Sequence, residues 1–123
     1  WKLSSLVNLP NQKTDGNNQH SAFLSTDLPE ENWPWPTSSW EWRDKFAKRL
    51  KDYTLGLFWF AQHDKELPSH FRKEMLKWGL AKDEYPDNES FPRQVYVREG
   101  RRFEGVYFFT AADALPVSPG IRP

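Results

Sequence analysis

Three arginines fall within five positions in "YVREGRRFEGVYFF", residues 96–109: Arg98, Arg101 and Arg102. A guanidinium stays charged at any ordinary pH and presents a planar fork of donors, so such a cluster suits an anion. Three arrangements fit that chemistry: a groove for nucleic acid, a contact for a small anionic ligand, and a hairpin laced by ion pairs. The whole chain carries 17 Lys and Arg against 17 Asp and Glu, a formal net charge of zero. Nucleic-acid domains draw much of their affinity from a basic excess that meets phosphates. An RNA-recognition strand also needs small residues where Phe103 and Glu104 stand. No nucleic-acid partner is therefore expected. The small-anion contact and ion pairing with Glu99 and Glu104 remain as the two readings.

The other chemistry-bearing residues narrow the field. The chain has no cysteine, which excludes disulfides, thiolate metal sites and a cysteine nucleophile. His20, His63 and His70 lack metal-ligand spacing, and no metal is expected. Asp15, Asp27 and Asp87 each lie in a turn-rich stretch beside amides or hydroxyls, where either an Asx turn or a polar contact to a ligand is open. No G-x-G-x-x-G, G-x-x-x-x-G-K-S/T or G-x-S-x-G motif is present, so the chain by itself makes no dinucleotide cradle, P-loop or nucleophile elbow. Trp33, Trp35, Trp40 and Trp42 form either a stacking platform for sugars or a set of rings that pin a loop. The longest nearly apolar run, "YTLGLFWFA" at 53–61, is too short to cross a membrane, and no membrane partner is expected.

The elements that must hold these residues follow from pattern. The chain has 123 residues, room for one modest core, and its 20 aromatic rings (7 Trp, 9 Phe, 4 Tyr) supply much of the apolar area. Residues 1–36 read as a polar loop, with turn formers at short intervals and no sustained period. Residues 37–80 read as a helical pair. Ser38 and Glu41 fit a capping box, and Trp42, Phe46, Leu50, Tyr53, Leu57 and Phe60 recur on one face. From Tyr53 onward apolar residues surround the axis, so this helix should run from the surface into a core. A second helix is expected from about Pro68 to Trp78, stopped by Gly79, and antiparallel to the first. Residues 81–113 read as turns followed by strands over 94–98 and 102–110 around a tight turn at Gly100. Val95 and Val97 should face one way, and Gln94, Tyr96 and Arg98 the other. Residues 114–123 read as a linker. The expected class is α+β: a loop-rich N-terminal segment, two packed helices and a short antiparallel strand pair.

Taken together, "LPNQKTDGNN", "STDLP", "YTLGLFWFAQHD", "KWGLAKDEYPDN" and "FPRQVYVREGRRFEGVYFFTAAD" resemble the middle region of FAD-dependent oxidoreductases, in the flavoprotein group labelled alongside xanthan lyases. The resemblance runs from about Leu9 to Asp113. It implies that the chain is a piece of a larger α/β flavoprotein, an intervening substrate or cap region whose FAD is held mainly by segments outside it. The partners it implies are the remainder of the same polypeptide and a small-molecule substrate. By resemblance, Lys13, Asp15, Asn17, Asn18, Asp87 and Asn88 belong to substrate-facing polar loops, and Arg98, Arg101 and Arg102 to the cofactor side. Two departures stand out: Glu89-Ser90 and Arg93 occupy places where many relatives carry Gly-His and His. Gly100 also replaces an alanine common in that group.

Overall fold

The computed structural model describes residues 4–18, 25–98, 100, 101 and 103–114. It contains a two-stranded antiparallel sheet, β1 (Ser4–Leu9) with β2 (Lys13–Asn18), then α1 (Trp40–His63), α2 (Ser69–Met75), a one-turn 3₁₀ helix (Pro86–Asn88) and α3 (Ala111–Ala114). The class is α+β, as expected. The strand pair, however, is not where the pattern placed it.

The first strands lie inside the stretch read as a loop. Lys13 N–H bonds the Pro10 carbonyl, and Asn11 and Gln12 between them sit at φ 61° and 57°. Two consecutive left-handed residues reverse the chain tightly, within a three-residue connection between Leu9 and Lys13. The register pairs Leu9 with Lys13, Val7 with Asp15 and Ser5 with Asn17. Because strand neighbours alternate, Lys13, Asp15 and Asn17 share one face of β2.

Residues 94–98 and 103–110 form no strands among the described residues. The facing pattern is nonetheless as expected: Val95 and Val97 are part-buried, while Gln94, Tyr96 and Arg98 are exposed. What fails is the turn. Gly100 does not occupy a left-handed conformation; a Cβ there would meet Val97 Cγ1 at 2.8 Å and Pro36 Cγ at 3.1 Å. The glycine lets the chain press on Pro36, and no ladder joins 94–98 to 103–110 among the described residues.

α1 begins one residue later than the capping pattern implies. The Ser38 hydroxyl and amide both donate to the Pro34 carbonyl, at 2.7 and 3.0 Å, which turns its side chain back toward residue 34 rather than onto the helix N–H groups. Ser39 is the N-cap, its hydroxyl accepting from Trp42 N–H at 3.3 Å. Glu41 instead pairs with Lys45 one turn on, at 2.6 Å.

The core sits where α1 meets the folded-back segment 25–39. Leu28, Phe46 and Leu50 are buried, with Trp35, Trp42, Tyr53 and Val95 packed around them. Trp42 stacks on Phe46 with centroids 5.2 Å apart, and Trp35 meets the same ring edge-on at 6.0 Å. Both geometries suit aromatic quadrupoles. The Tyr53 hydroxyl ties the start of the segment by donating to the Ser25 carbonyl at 3.0 Å.

α2 is shorter than expected, ending at Met75 rather than near Trp78. Its last turn tightens through Lys77 N–H to Glu74 and Trp78 N–H to Met75. The Met75 carbonyl, while holding Trp78 N–H, and the Trp78 carbonyl both accept from the Gln62 side-chain amide on α1, at 3.1 and 3.0 Å. That cross-helix cap ends the helix before Gly79 is reached. α1 does not dive into a core either. Leu57 and Ala61 are buried beside α2, but Trp59 is 64% and Phe60 42% exposed.

Phe46→Ala should lower the free energy of unfolding by about 3 kcal/mol, because it leaves two tryptophans without their shared partner. Urea denaturation followed by Trp fluorescence reads this as a fall in midpoint; an unchanged midpoint contradicts the assignment of the core.

Candidate functional site

The segment 97–101 reaches the body of the protein through Pro36. Arg43 on α1 donates from Nε to the Trp35 carbonyl at 2.9 Å and from Nη2 to the Pro36 carbonyl at 3.0 Å. Its guanidinium also lies 4.7 Å from the Trp40 ring centre and 5.8 Å from that of Trp35. Arg101 Nη2 donates to the same Pro36 carbonyl at 2.7 Å. One backbone oxygen therefore joins the helix start, the folded-back segment and the arginine-bearing stretch.

The three cluster arginines separate in role. Arg101 is held on Pro36. Arg98 is exposed, with no hydrogen bond or ion pair among the described residues. Arg102 and its neighbour Glu99 lie outside the described residues. The expected pairing with Glu104 is met at neither Arg98 nor Arg101 among the described residues, and pairing with Glu99 lies outside them.

The polar candidates form two groups. Lys13, Asp15 and Asn17 project from one face of β2, and the Asn18 side chain lies outside the described residues. The Lys13 ammonium sits between two carboxylates, bonding Glu84 and lying 2.9 Å from Asp83 Oδ2. Glu84 first and Asp83 second raise its pKa, and the same contact lowers that of Asp83. Lys13 thus fastens the hairpin to the turn that leads into Asp87 and Asn88.

In that second group, Asn88 spends its amide on the Phe91 carbonyl at 2.9 Å, and Asp87 pairs with Arg93. Tyr85, Glu89 and Ser90 all take left-handed conformations, with φ 45°, 56° and 59°. The 85–91 turn is wound tightly enough that Ser90 and Asn88 N–H both bond Tyr85 O. Asn88 then lines an open groove of about 360 Å³ between α1 and residues 88–95, with Lys48, Lys51, Phe91, Arg93 and Gln94. Lys51 pairs with Glu89 at 2.7 Å and lies 5.7 Å from the Phe91 ring centre. Lys48 pairs with Asp52 at 2.6 Å. Every lysine and arginine of this groove is already neutralised by a protein carboxylate, so it attracts anions weakly.

Several residues bear on the site without having been singled out by pattern. Arg43 is the chief one, and its signal was available: a cation three residues after Trp40 on a helix. Asn32 is fully buried and donates to the Asp27 carbonyl at 3.2 Å, holding the folded-back segment from inside. Trp35 and Trp42 are packed on Phe46, which leaves only Trp33 and Trp40 exposed, at 53% and 75%, of the four rings that a sugar platform would need. His63 stacks on Trp59 and places Nδ1 2.9 Å from the Trp59 carbonyl. His20 lies outside the described residues. Among the described residues, no group of three His, Asp or Glu is placed to hold a metal, and no helix is long and apolar enough to cross a membrane.

For a dinucleotide, the donor set is incomplete. A pyrophosphate is normally met by a glycine-rich turn at a helix start, and neither the sequence nor the N-terminus of α1, capped by Ser39, offers one. Arg98 fits a single charged contact with such a ligand and no more. A family model described as FAD dependent oxidoreductase matches residues 3–119. No curated protein and no solved structure matches the chain.

Arg49 and Glu31 bind side by side, with Arg49 Nη2 2.7 Å from Glu31 Oε1, and this pairing lowers the Glu31 pKa. A carboxylate with a depressed folded-state pKa contributes stability above its unfolded value and loses it as pH falls through the folded value. Acid should therefore loosen residues 30–32 from α1. An NMR titration should place the Glu31 midpoint below that of an unpaired glutamate and return it to normal in Arg49→Met; equal midpoints contradict the pairing.

Proposed function

Since the chain belongs to the FAD dependent oxidoreductase family, we propose that it forms the substrate-facing or cap region of a flavoenzyme. The flavoprotein group labelled alongside xanthan lyases is the subgroup that its sequence resembles. In this reading the rest of the same polypeptide holds most of the FAD, and the present residues complete the surface against flavin and a small-molecule substrate. FAD, when bound, accepts a hydride from the substrate. The protein's own part is to orient the substrate and to place charge near the cofactor.

The observation that carries the assignment is the contrast between Arg101 and Arg98. The first is consumed in holding the segment on Pro36, and the second is left exposed with its fork of donors uncommitted among the described residues. An exposed guanidinium, three residues from the Arg101 tie to Pro36, is suited to stabilise negative charge on a pyrophosphate or a reduced flavin ring. Arg102 is assigned to the same side. On the substrate side, the β2 face with Lys13, Asp15 and Asn17, together with Asn18, and the Asp87–Asn88 turn offer donors and acceptors for a polar small molecule. Asp87 and Asn88 act there as much by shaping the turn as by direct contact, because their side chains already serve Arg93 and Phe91.

The apolar stretch after the arginines supports a covering surface from the same polypeptide. Phe103 and Val106 are fully exposed, and Tyr107, Phe108 and Phe109 are mostly so. A run apolar on successive residues suits a strand covered on both faces. At its end the Tyr107 hydroxyl donates to Asp113, whose Oδ2 also accepts from the Thr110 hydroxyl at 2.8 Å. That short cap on α3 fixes where the stretch stops.

Arg98→Ala should weaken FAD retention or slow turnover by roughly tenfold or more, while leaving the unfolding midpoint near that of the parent. Arg101→Ala should act the other way round, lowering the midpoint through the loss of its Pro36 bond. Flavin absorbance after gel filtration and steady-state turnover read the first; thermal denaturation reads the second. Unaltered flavin content and turnover in Arg98→Ala contradict the assignment.

A further inference from the structure

The hairpin β1–β2 is built differently from everything around it. Neither strand packs on a helix among the described residues. Leu6, Val7 and Leu9 are exposed on its first strand, and Asp15, Gly16 and Asn17 on its second. An isolated two-stranded ribbon is marginal in water and gains its place by docking to something. Lys13 and Thr14 are its part-buried residues, and the Lys13 side chain, only 22% exposed, places its ammonium between Asp83 and Glu84.

We infer that this cluster is a latch and the hairpin a movable flap. Lys13 closes the flap against the 82–84 turn, three residues before the Asp87–Asn88 turn, and its release swings the β2 face away from that turn. The contact is made of charge rather than of apolar surface. Apolar burial does not weaken with salt, whereas an ammonium bridging two partly exposed carboxylates is screened by it. Regions that open most readily are those with few buried apolar contacts, and the hairpin has that character. Two carboxylates on one ammonium also leave a surplus negative charge at the latch. A cationic group arriving there competes for the carboxylates, and an anionic one competes for Lys13. That the flap governs access to substrate rests on the function proposed above; that it is latched by Lys13 does not.

None of these 123 residues is cysteine, so labels introduced among them meet no competing thiol there. Spin labels on cysteines introduced at Asn8 and Lys65, both exposed, report the separation of hairpin and helical body by pulsed electron resonance. The parent should give one narrow distance distribution. Lys13→Met should broaden it toward longer distances, and the double substitution Asp83→Asn with Glu84→Gln should do the same by removing the other side of the contact. Lys13→Arg should keep the narrow distribution, and high salt should broaden the parent's. Circular dichroism confirms that each variant keeps its helices. Distributions that stay narrow in both Lys13→Met and the double carboxylate variant overturn the latch. They leave the Arg98 assignment standing, since the distance readout needs no flavin. Loss of that assignment would likewise leave the distance result intact.

Discussion

Two guanidiniums meet on one backbone oxygen, that of Pro36, and the arrangement of the described chain depends on it. Proline fixes its own φ and supplies no N–H, so its carbonyl is the group through which this position bonds. Arg43 reaches it from α1 and Arg101 from the arginine-bearing stretch. Like charges brought together on one acceptor repel, and the Trp40 and Trp35 rings beside Arg43 offset part of that cost. Gly100 completes the joint, because a side chain there would strike Pro36 and Val97. Around this point the folded-back segment, the long helix and the stretch bearing Arg98 hold a fixed relation.

The joint matters because the hydrophobic core is small. Leu28, Phe46 and Leu50 form one buried cluster, and Leu57, Ala61 and Met75 are the other buried apolar residues among those described. Many large rings stay outside it: Trp59, Phe60 and Trp78 near the helix ends, and the whole run from Phe103 to Phe109. Rings exposed in such number are costly in water and are the usual mark of a surface that another part covers. The molecule is therefore held by polar ties to a degree unusual for its aromatic content. Arg43, Arg49, Asn32, Tyr53 and Gln62 each secure a backbone carbonyl or a carboxylate that apolar packing leaves unattended.

How much of this was legible depended on how local the cause was. The period in Trp42, Phe46, Leu50 and Leu57 made α1 plain, because a 3.6-residue repeat is a property of the sequence itself. It misassigned Phe60, since over a 24-residue helix the buried stripe drifts and Ala61 turns inward where α2 approaches. The inward Val95 and Val97 were legible for the same local reason, whereas the strand status of their segment was not. A ladder needs a second strand, and 103–110, though rich in β-branched and aromatic residues, pairs with no strand among the described residues. The sequence does not announce the hairpin, because its turn carries Asn11 and Gln12 rather than a glycine, and β2 is made of residues weak in strand propensity. The family was legible from short motifs spread along the chain. The division of labour between Arg98 and Arg101 was not, because it is decided by Pro36, 65 positions before Arg101.

Arg98 is proposed as the exposed cation that meets the cofactor side of a flavoenzyme. A crystal structure of the flavin-loaded protein tests it most directly. The account predicts the Arg98 guanidinium within hydrogen-bond distance of the FAD pyrophosphate or flavin ring, with Arg101 still on the Pro36 carbonyl. An Arg98 side chain paired with a protein carboxylate, or directed to solvent away from the flavin, would contradict it.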